Sequence, residues 1–266
     1  MGSVINLTFS LNELEYYLLI LMRVSAFVFA APFFSNNDVP RRVRAGLSVF
    51  TAYLIYCAIT VHTYPAYNTL LDYAGLVLKE IIVGLLIGLG AQFCFMIVGF
   101  AGRLVDTEIG FGMVSLMDPT TRQQVSATGM YFQYIFMLLF IISGMYQYLL
   151  SALSETFTLI PVGQAQFIIY QMYESFLKLM TDYLIIGFRI CLPVFCTILL
   201  LNGLLGVMAK VSPQMNMFAV GLQLKVLAGL GILFLTAFLL PSAADFIFEQ
   251  MKRVIVMFVK AMGGSL

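Results

Sequence analysis

From Leu76 to Phe100 the chain reads LVLKEIIVGLLIGLGAQFCFMIVGF, and beyond Glu80 no residue of that run carries a charge. As one continuous helix it would be roughly 37 Å long at 1.5 Å per residue, enough to span a bilayer with some tilt. Five further apolar runs follow the same habit: Leu14 to Phe34, Val43 to Tyr64, Gly129 to Leu150, Tyr183 to Met208 and Met217 to Leu240. Composition agrees: 61% of residues are hydrophobic and 10% charged, against roughly 45–50% and 25% in soluble domains. The reading is an all-α integral membrane protein of about six long apolar helices, built as one integrated bundle over residues 1–266 rather than as separate domains. Within it, three parts are distinguished: 1–126, 127–182 and 183–266.

Fourteen Lys and Arg nearly balance thirteen Asp and Glu, so there is no basic field for nucleic acid. Cys57, Cys94, Cys191 and Cys196 all sit inside apolar runs without metal-type or disulfide-framework spacing, and are read as small core hydrophobes. The first segment, MGSVINLTFSLNELEYY, has no basic patch before its apolar run and no obvious small-residue cleavage site, so it does not look like a cleaved signal peptide. Trp is absent, so any interfacial aromatic belt must rest on Tyr.

Between the fourth and fifth runs lies FIIYQMYESFLKLM. Its Ile169, Met172, Phe176 and Leu179 or Met180 recur at helical spacing, with Gln171, Glu174, Ser175 and Lys178 elsewhere around the wheel, which predicts an interfacial or partner-facing helix. Orientation strains the simple picture. Arg41, Arg42 and Arg44 argue for a cytoplasmic first connection, Arg103 and Arg122 for a cytoplasmic third, and Lys210 for a cytoplasmic fifth. Six crossings would return the C-terminus outside, yet Lys252, Arg253 and Lys260 favour the cytoplasm. One run is therefore a re-entrant hairpin or not a lipid-facing span.

Charges near a bilayer centre cost about 2.5–3.5 kcal/mol on insertion scales, so each needs a reason. Lys79, Glu80 and Arg189 lie near run ends, where snorkelling or internal pairing suffices. Arg23 and Lys225 are flanked by apolar residues on both sides and point to contacts with another chain or to an aqueous path. Small residues mark close helix approach: Gly84 and Gly88 form a GxxxG in the third run, and Gly203 and Gly206 do similar work in the fifth. Enzyme chemistry finds little support and no cofactor is implied. One histidine, His62, leaves no His-based metal site, and HExxH, GxSxG, Walker-type and GxGxxG motifs are missing.

The stretch GFGMVSLMDP, Gly110 to Pro119, is oddly placed. It follows the charged patch RLVDTE where a solvated loop is expected, yet it is apolar and holds two glycines and a proline. On its residues alone it is a connector buried on its own bundle or a movable apolar segment.

Three stretches resemble the FliR family of flagellar export-gate proteins, whose injectisome relatives are SctT-type components of type III secretion. They are RVSAFVFAAPFFSNNDVPRRVRAGLSVF, with Arg23, Pro32, Pro40 and Arg44; KEIIVGLLIGLGAQF continuing through GFGMVSLMDPTTRQQVS, with Asp118-Pro119 and Gln124-Val125; and LPVFCTILLLNGLLGVMAKVSPQMNMFAVGLQLK. The last is the most specific, with Leu192-Pro193, Asn202, Leu205-Gly206, Pro213-Gln214, Asn216, Phe218 and Gly221 to Lys225. Its KVSPQMN also reads unaided as a turn, because Pro213 lacks an amide donor and disfavours helix before it. Gln223 stands where relatives often show proline.

The resemblance implies a non-enzymatic subunit of the bacterial inner membrane, within the flagellar basal body. It would join FliP-like and FliQ-like subunits in a helically staggered gate wrapped by an FlhB-like protein, with membrane lipid around it and unfolded flagellar proteins as cargo. Much of the apolar sequence would then form bent hairpins packed on neighbours. Arg23, Arg44, Glu80, Asn202 and Lys225 become subunit-contact or intramembrane polar positions. Ile109, Gly110, Phe111, Gly112, Met113, Val114, Leu116 and Met117 become a lumen plug, apolar bulk with glycines that allow movement. A small-solute secondary transporter would also use broken helices and charges at depth, but no internal repeat is visible. A purely structural membrane scaffold fits the composition equally well.

Overall fold

The computed structural model describes residues 11–34, 39–59, 64–111, 116–117, 124–212 and 217–263. Its helices are α1 Leu11–Ala30, α2 Arg41–Ala58, α3 Leu70–Ile109, α4 Ala127–Ile142, α5 Met145–Leu159, α6 Ile169–Val211, α7 Met217–Thr236 and α8 Leu240–Ala261. A two-residue antiparallel pair, β1 Leu116–Met117 with β2 Gln124–Val125, is the whole of the strand structure among the described residues. The protein is an all-α membrane protein.

Each of the six apolar runs is carried largely by helix, but six spans do not result. Among the described residues, three helical stretches are long and apolar enough to cross a bilayer: Leu70–Ile109, Ile169–Val211 and Val220–Ala261. A fourth appears if α4 and α5 count as one, and these are bent by 66° at a break where Gly144 has a φ of 71°. The reasons are local. The α1 helix carries Glu13, Glu15 and Arg23 within its 20 residues, and α2 opens on three arginines. The stretch FIIYQMYESFLKLM is also not a separate interfacial helix. It enters α6, which runs unbroken for 43 residues through Pro193. Met172, Phe176 and Leu179 do face inward to differing degrees, while Ile169 is 81% exposed.

The chain divides into two compact units. The first draws on Met1–Gln92, Gln147–Ser175 and Val254–Leu266. Its core is a helical-spacing stripe of α1, Leu19, Ile20, Val24, Phe27 and Val28, together with Val83, Ile87 and Ala91 of α3, Leu149 and Leu153 of α5 and Val254 and Phe258 of α8. Lipid tails are as apolar as leucine, so close packing and polar bonds rather than transfer from water hold such helices together. Glycines permit that packing on α3. A methyl group on Gly84 would collide with the backbone carbonyl of Arg23, and one on Gly88 would lie 2.7 Å from Ala30 Cβ and 3.0 Å from the Phe27 carbonyl. The GxxxG of the third run thus packs on α1. Gly90 faces elsewhere, onto Val254 and Phe258 of α8.

The second unit draws on Phe93–Tyr146 and Phe176–Arg253. Cys94, Ile97, Val98, Ala101 and Val105 of α3 are buried there with Phe132, Phe136 and Phe140 of α4, Ile186 and Val194 of α6 and Ile247 and Phe248 of α8. The rings of Phe95, Phe136 and Phe248 follow one another at centroid separations of 5.1 and 5.0 Å, within the range where tilted and edge contacts are favourable. Cys94 and Cys191 fit the expected role of small core hydrophobes, whereas Cys57 and Cys196 lie on exposed faces.

Candidate functional site

In the second unit, the polar chemistry gathers where α3 ends and α4 begins. Asp106, in the last turn of α3, is 4% exposed. Its two carboxylate oxygens accept from the Thr128 amide at 3.3 and 3.2 Å, and one also accepts from the Thr128 hydroxyl. Ser126 is the N-cap of α4 and its Oγ accepts from the Gly129 amide at 2.9 Å. Two donors left over at the start of α4 are thereby satisfied. One turn before Asp106, Gly102 meets Gly129 backbone to backbone, and Gly99 lies against the Gln133 amide. The chain leaves α3 through Gly110, whose φ of 96° and amide bond to the Asp106 carbonyl at 3.1 Å form a left-handed helix stop. It returns through the pairs Leu116↔Val125 and Met117↔Gln124. Of the apolar stretch singled out in the sequence, Leu116 and Met117 thus pair with Val125 and Gln124 just before α4.

Two of the expected plug residues lie at the end of α3. Ile109 is fully buried as the last residue of α3, where Gly229 of α7 makes room for it. Gly110 terminates a helix in a defined conformation. Phe111 is half-buried, and for Leu116 and Met117 the backbone pairing is defined. Gly112, Met113 and Val114 lie outside the described residues, as do Asp118-Pro119, His62, Pro213-Gln214 and Asn216.

In the first unit a second polar cluster forms. Arg23 Nε donates to Glu80 Oε2 at 2.6 Å, and both side chains are fully buried. Arg23 Nη1 donates to the carbonyls of Thr156 and Ile160 at 3.1 and 3.0 Å, at the end of α5. The Phe157 ring lies 4.3 Å below the guanidinium carbon, and Glu80 Oε1 accepts from the Gly163 amide at 2.8 Å. One ion pair thus ties α1, α3, α5 and the turn after α5. Sequence reading pointed Arg23 toward another chain or water; its partner is Glu80, fifty-seven residues away in the same chain. Glu80 pairs internally, as its place near a run end allowed.

The remaining expected positions are more open. Arg44 donates from Nε to the Val39 carbonyl at 3.1 Å and so braces the turn before α2. Asn202, Gly203 and Gly206 lie on an exposed face of α6, with nothing within 4 Å of a methyl group built on either glycine. Lys225 is half-buried on α7. Arg189 lies over the Phe246 ring at 5.3 Å. Among the described residues no three His, Cys, Asp or Glu side chains gather as a metal site. Asp106, Thr128 and Ser126 escaped the sequence reading. A Ser three residues before the first buried glycine of an apolar run was the available signal for the cap.

Fold and polar chemistry define an all-α membrane protein whose buried polar groups join helices. Comparisons with known proteins narrow this. The family of bacterial export proteins, family 1, matches residues 14–251. The flagellar biosynthetic protein FliR of Bacillus subtilis is 33% identical over 217 residues, covering 79% of this chain and 81% of the relative. FliR of Escherichia coli is 26% identical over 236 residues, 89% of this chain and 88% of the relative. The surface presentation of antigens protein SpaR of Shigella flexneri is 27% identical over 225 residues, 81% and 82% of the two chains. The chain belongs to the bacterial export proteins, family 1.

Proposed function

We propose that the protein is the FliR-type subunit of a flagellar type III protein export gate in the bacterial inner membrane. It assembles with FliP-like and FliQ-like subunits, is embraced by an FlhB-like protein, and passes unfolded flagellar proteins. The family match over residues 14–251 carries the export role. The gate role is supported by the apolar sequence of Phe111 to Met117, which lies between the Gly110 stop of α3 and the Ser126 cap of α4.

A channel wide enough for an unfolded polypeptide leaks ions unless something closes it between transits. Apolar constrictions close by excluding water, and unbranched side chains reseal around irregular cargo. Phe111, Met113, Val114, Leu116 and Met117 supply that apolar bulk. The chemistry asked of the chain is occlusion, with no bond made or broken.

Deleting Gly112 to Leu116, which leaves the α3 stop and the Asp106 bonds in place, is expected to raise ion leak through the assembled complex several-fold without reducing its yield. Conductance measured in planar bilayers tests this. An assembled complex that stays sealed after the deletion would sink the plug role while leaving family membership intact.

A further inference from the structure

Arg189 is a permanent charge on an apolar surface. It is exposed on α6 among exposed Ile185, Phe188 and Leu192. Among the described residues it forms no ion pair; Asp182 on its own helix and Asp245 on α8, the carboxylates nearest along the two helices, leave it unmatched. What holds it is a ring, for its guanidinium carbon lies 5.3 Å from the centroid of Phe246 on α8, within reach of a cation–π attraction. That contact uses the flat face of the guanidinium. Its N–H donors point around the edge, on a group that cannot shed its proton.

The depth of Arg189 follows from its helix. From Ile190 to Ala209 no residue of α6 is charged, about the twenty residues with which a helix crosses the hydrocarbon core. Arg189 and Lys210 bound that stretch, so each lies where a long cationic side chain reaches the headgroups. Helix α8 agrees, since the uncharged stretch that opens after Lys225 ends at Asp245, beside the ring on which Arg189 rests.

On the uncharged side of this level, α4, α6 and α8 leave a narrow apolar recess between them. Phe132, Phe136 and Ala244 form its buried part, while Ile135, Ile190 and Ala243 are half-buried at its rim. Alanines at 243 and 244 are what leave the space, where larger side chains would close it. The lining is hydrocarbon throughout, suited to a single chain rather than to a helix. A phosphate, with several oxygens, matches the guanidinium fork in two parallel bonds. A headgroup of net negative charge is favoured over a zwitterionic one, whose own ammonium competes for the phosphate.

We propose that Arg189 and the recess beside it form a site for one anionic phospholipid, with the phosphate on the guanidinium and one acyl chain along Ile135, Ile190 and Ala243. The site depends on the bilayer and not on the gate reading. Trp is absent from the chain, so one introduced tryptophan reports alone. The test places the full chain, carrying Leu192→Trp one turn from Arg189, in phosphatidylcholine vesicles. Brominated phosphatidylglycerol and brominated phosphatidylcholine are compared as quenchers at equal mole fraction. Phosphatidylglycerol is expected to quench several-fold more effectively. Arg189→Ala is expected to abolish the preference, and Arg189→Lys to keep part of it, since an ammonium retains the charge without the fork. Ala243→Leu, which fills the rim and leaves the guanidinium in place, is expected to weaken it. Leu200→Trp, in the middle of the uncharged stretch, is expected to show no preference.

A preference that survives Arg189→Ala, or one equally strong at Leu200→Trp, overturns the proposal, since general attraction of the lipid to the protein would then suffice. A preference untouched by Ala243→Leu also overturns it, because the headgroup alone would explain the binding. If Arg189→Ala does not insert, Arg189→Gln carries the same comparison. No lipid preference in the chain alone, with a lower yield of complex recovered through a tagged partner subunit in Arg189→Ala, assigns the guanidinium to a neighbouring chain and overturns the lipid site.

Discussion

Two glycine pairs that look alike in the sequence end in opposite surroundings. Gly84 and Gly88 of α3 lie against α1, close enough that a methyl group on Gly84 would strike the Arg23 carbonyl. Gly203 and Gly206 of α6 face open space on a surface shared with exposed Leu199, Leu200, Leu204 and Val207. Small residues record a capacity for close approach, not the presence of a neighbour. What separates the two cases is a polar anchor. Beside the first pair, the fully buried Arg23 and Glu80 fix the approach of α1 to α3. Beside the second, Asn202 is exposed and forms no bond among the described residues.

The largest expected effect breaks the anchored side of this comparison. Removing one partner of a buried ion pair leaves the other charge uncompensated and costs about 3–5 kcal/mol. Arg23→Ala would also free the carbonyls of Thr156 and Ile160, and Glu80→Ala the Gly163 amide. Either change is expected to lower the melting temperature of the detergent-purified chain sharply. Replacing both by Met and Leu is expected to be milder than either alone, since no charge is then stranded. A double variant as unstable as the sum of the two singles would show that the residues do not act as a pair.

Next comes Gly84→Ala. Overpacking a close contact costs about 1–3 kcal/mol, and here the obstacle is backbone, which cannot rotate aside. A thermal melt within error of the wild type would mean that α1 and α3 do not cross at this glycine.

The same contrast explains what the residues alone revealed. Long apolar runs such as Leu76 to Phe100 had to be helices, since in lipid every backbone group must be satisfied within its segment. Which helices meet was not legible, because Arg23 finds Glu80 fifty-seven residues on and Asp106 finds Thr128 twenty-two residues on. A carboxylate in RLVDTE looks like ordinary helix-end polarity until the start of α4 is laid beside it. The conflict over six crossings has a related source. Hydropathy marks where helix is apolar, not where it bends, and the break at Ser143 and Gly144 is a matter of one left-handed glycine. GFGMVSLMDP was recognisable as unusual, yet the burial of Ile109 at the end of α3 and the helix stop at Gly110 were not legible.

The smallest effect on the chain itself belongs to the open pair, and it sharpens the comparison most. With nothing within 4 Å, Gly203→Ala and Gly206→Ala meet no obstacle in this fold. Alanine also favours helix over glycine by about 0.8–1.0 kcal/mol, so the isolated chain is expected to melt at the same temperature or slightly higher. In the assembled complex the sign reverses if a partner backbone lies on this face, because each methyl group then holds two helices apart. The measurement is therefore a difference: melting of the purified chain set against the yield of complex recovered through a tagged partner subunit. A fall in yield with no fall in melting temperature assigns the face to a neighbour. Unchanged yield for the double variant would return the α6 glycines to lipid and leave Gly84 and Gly88 as the functioning small-residue pair of the two.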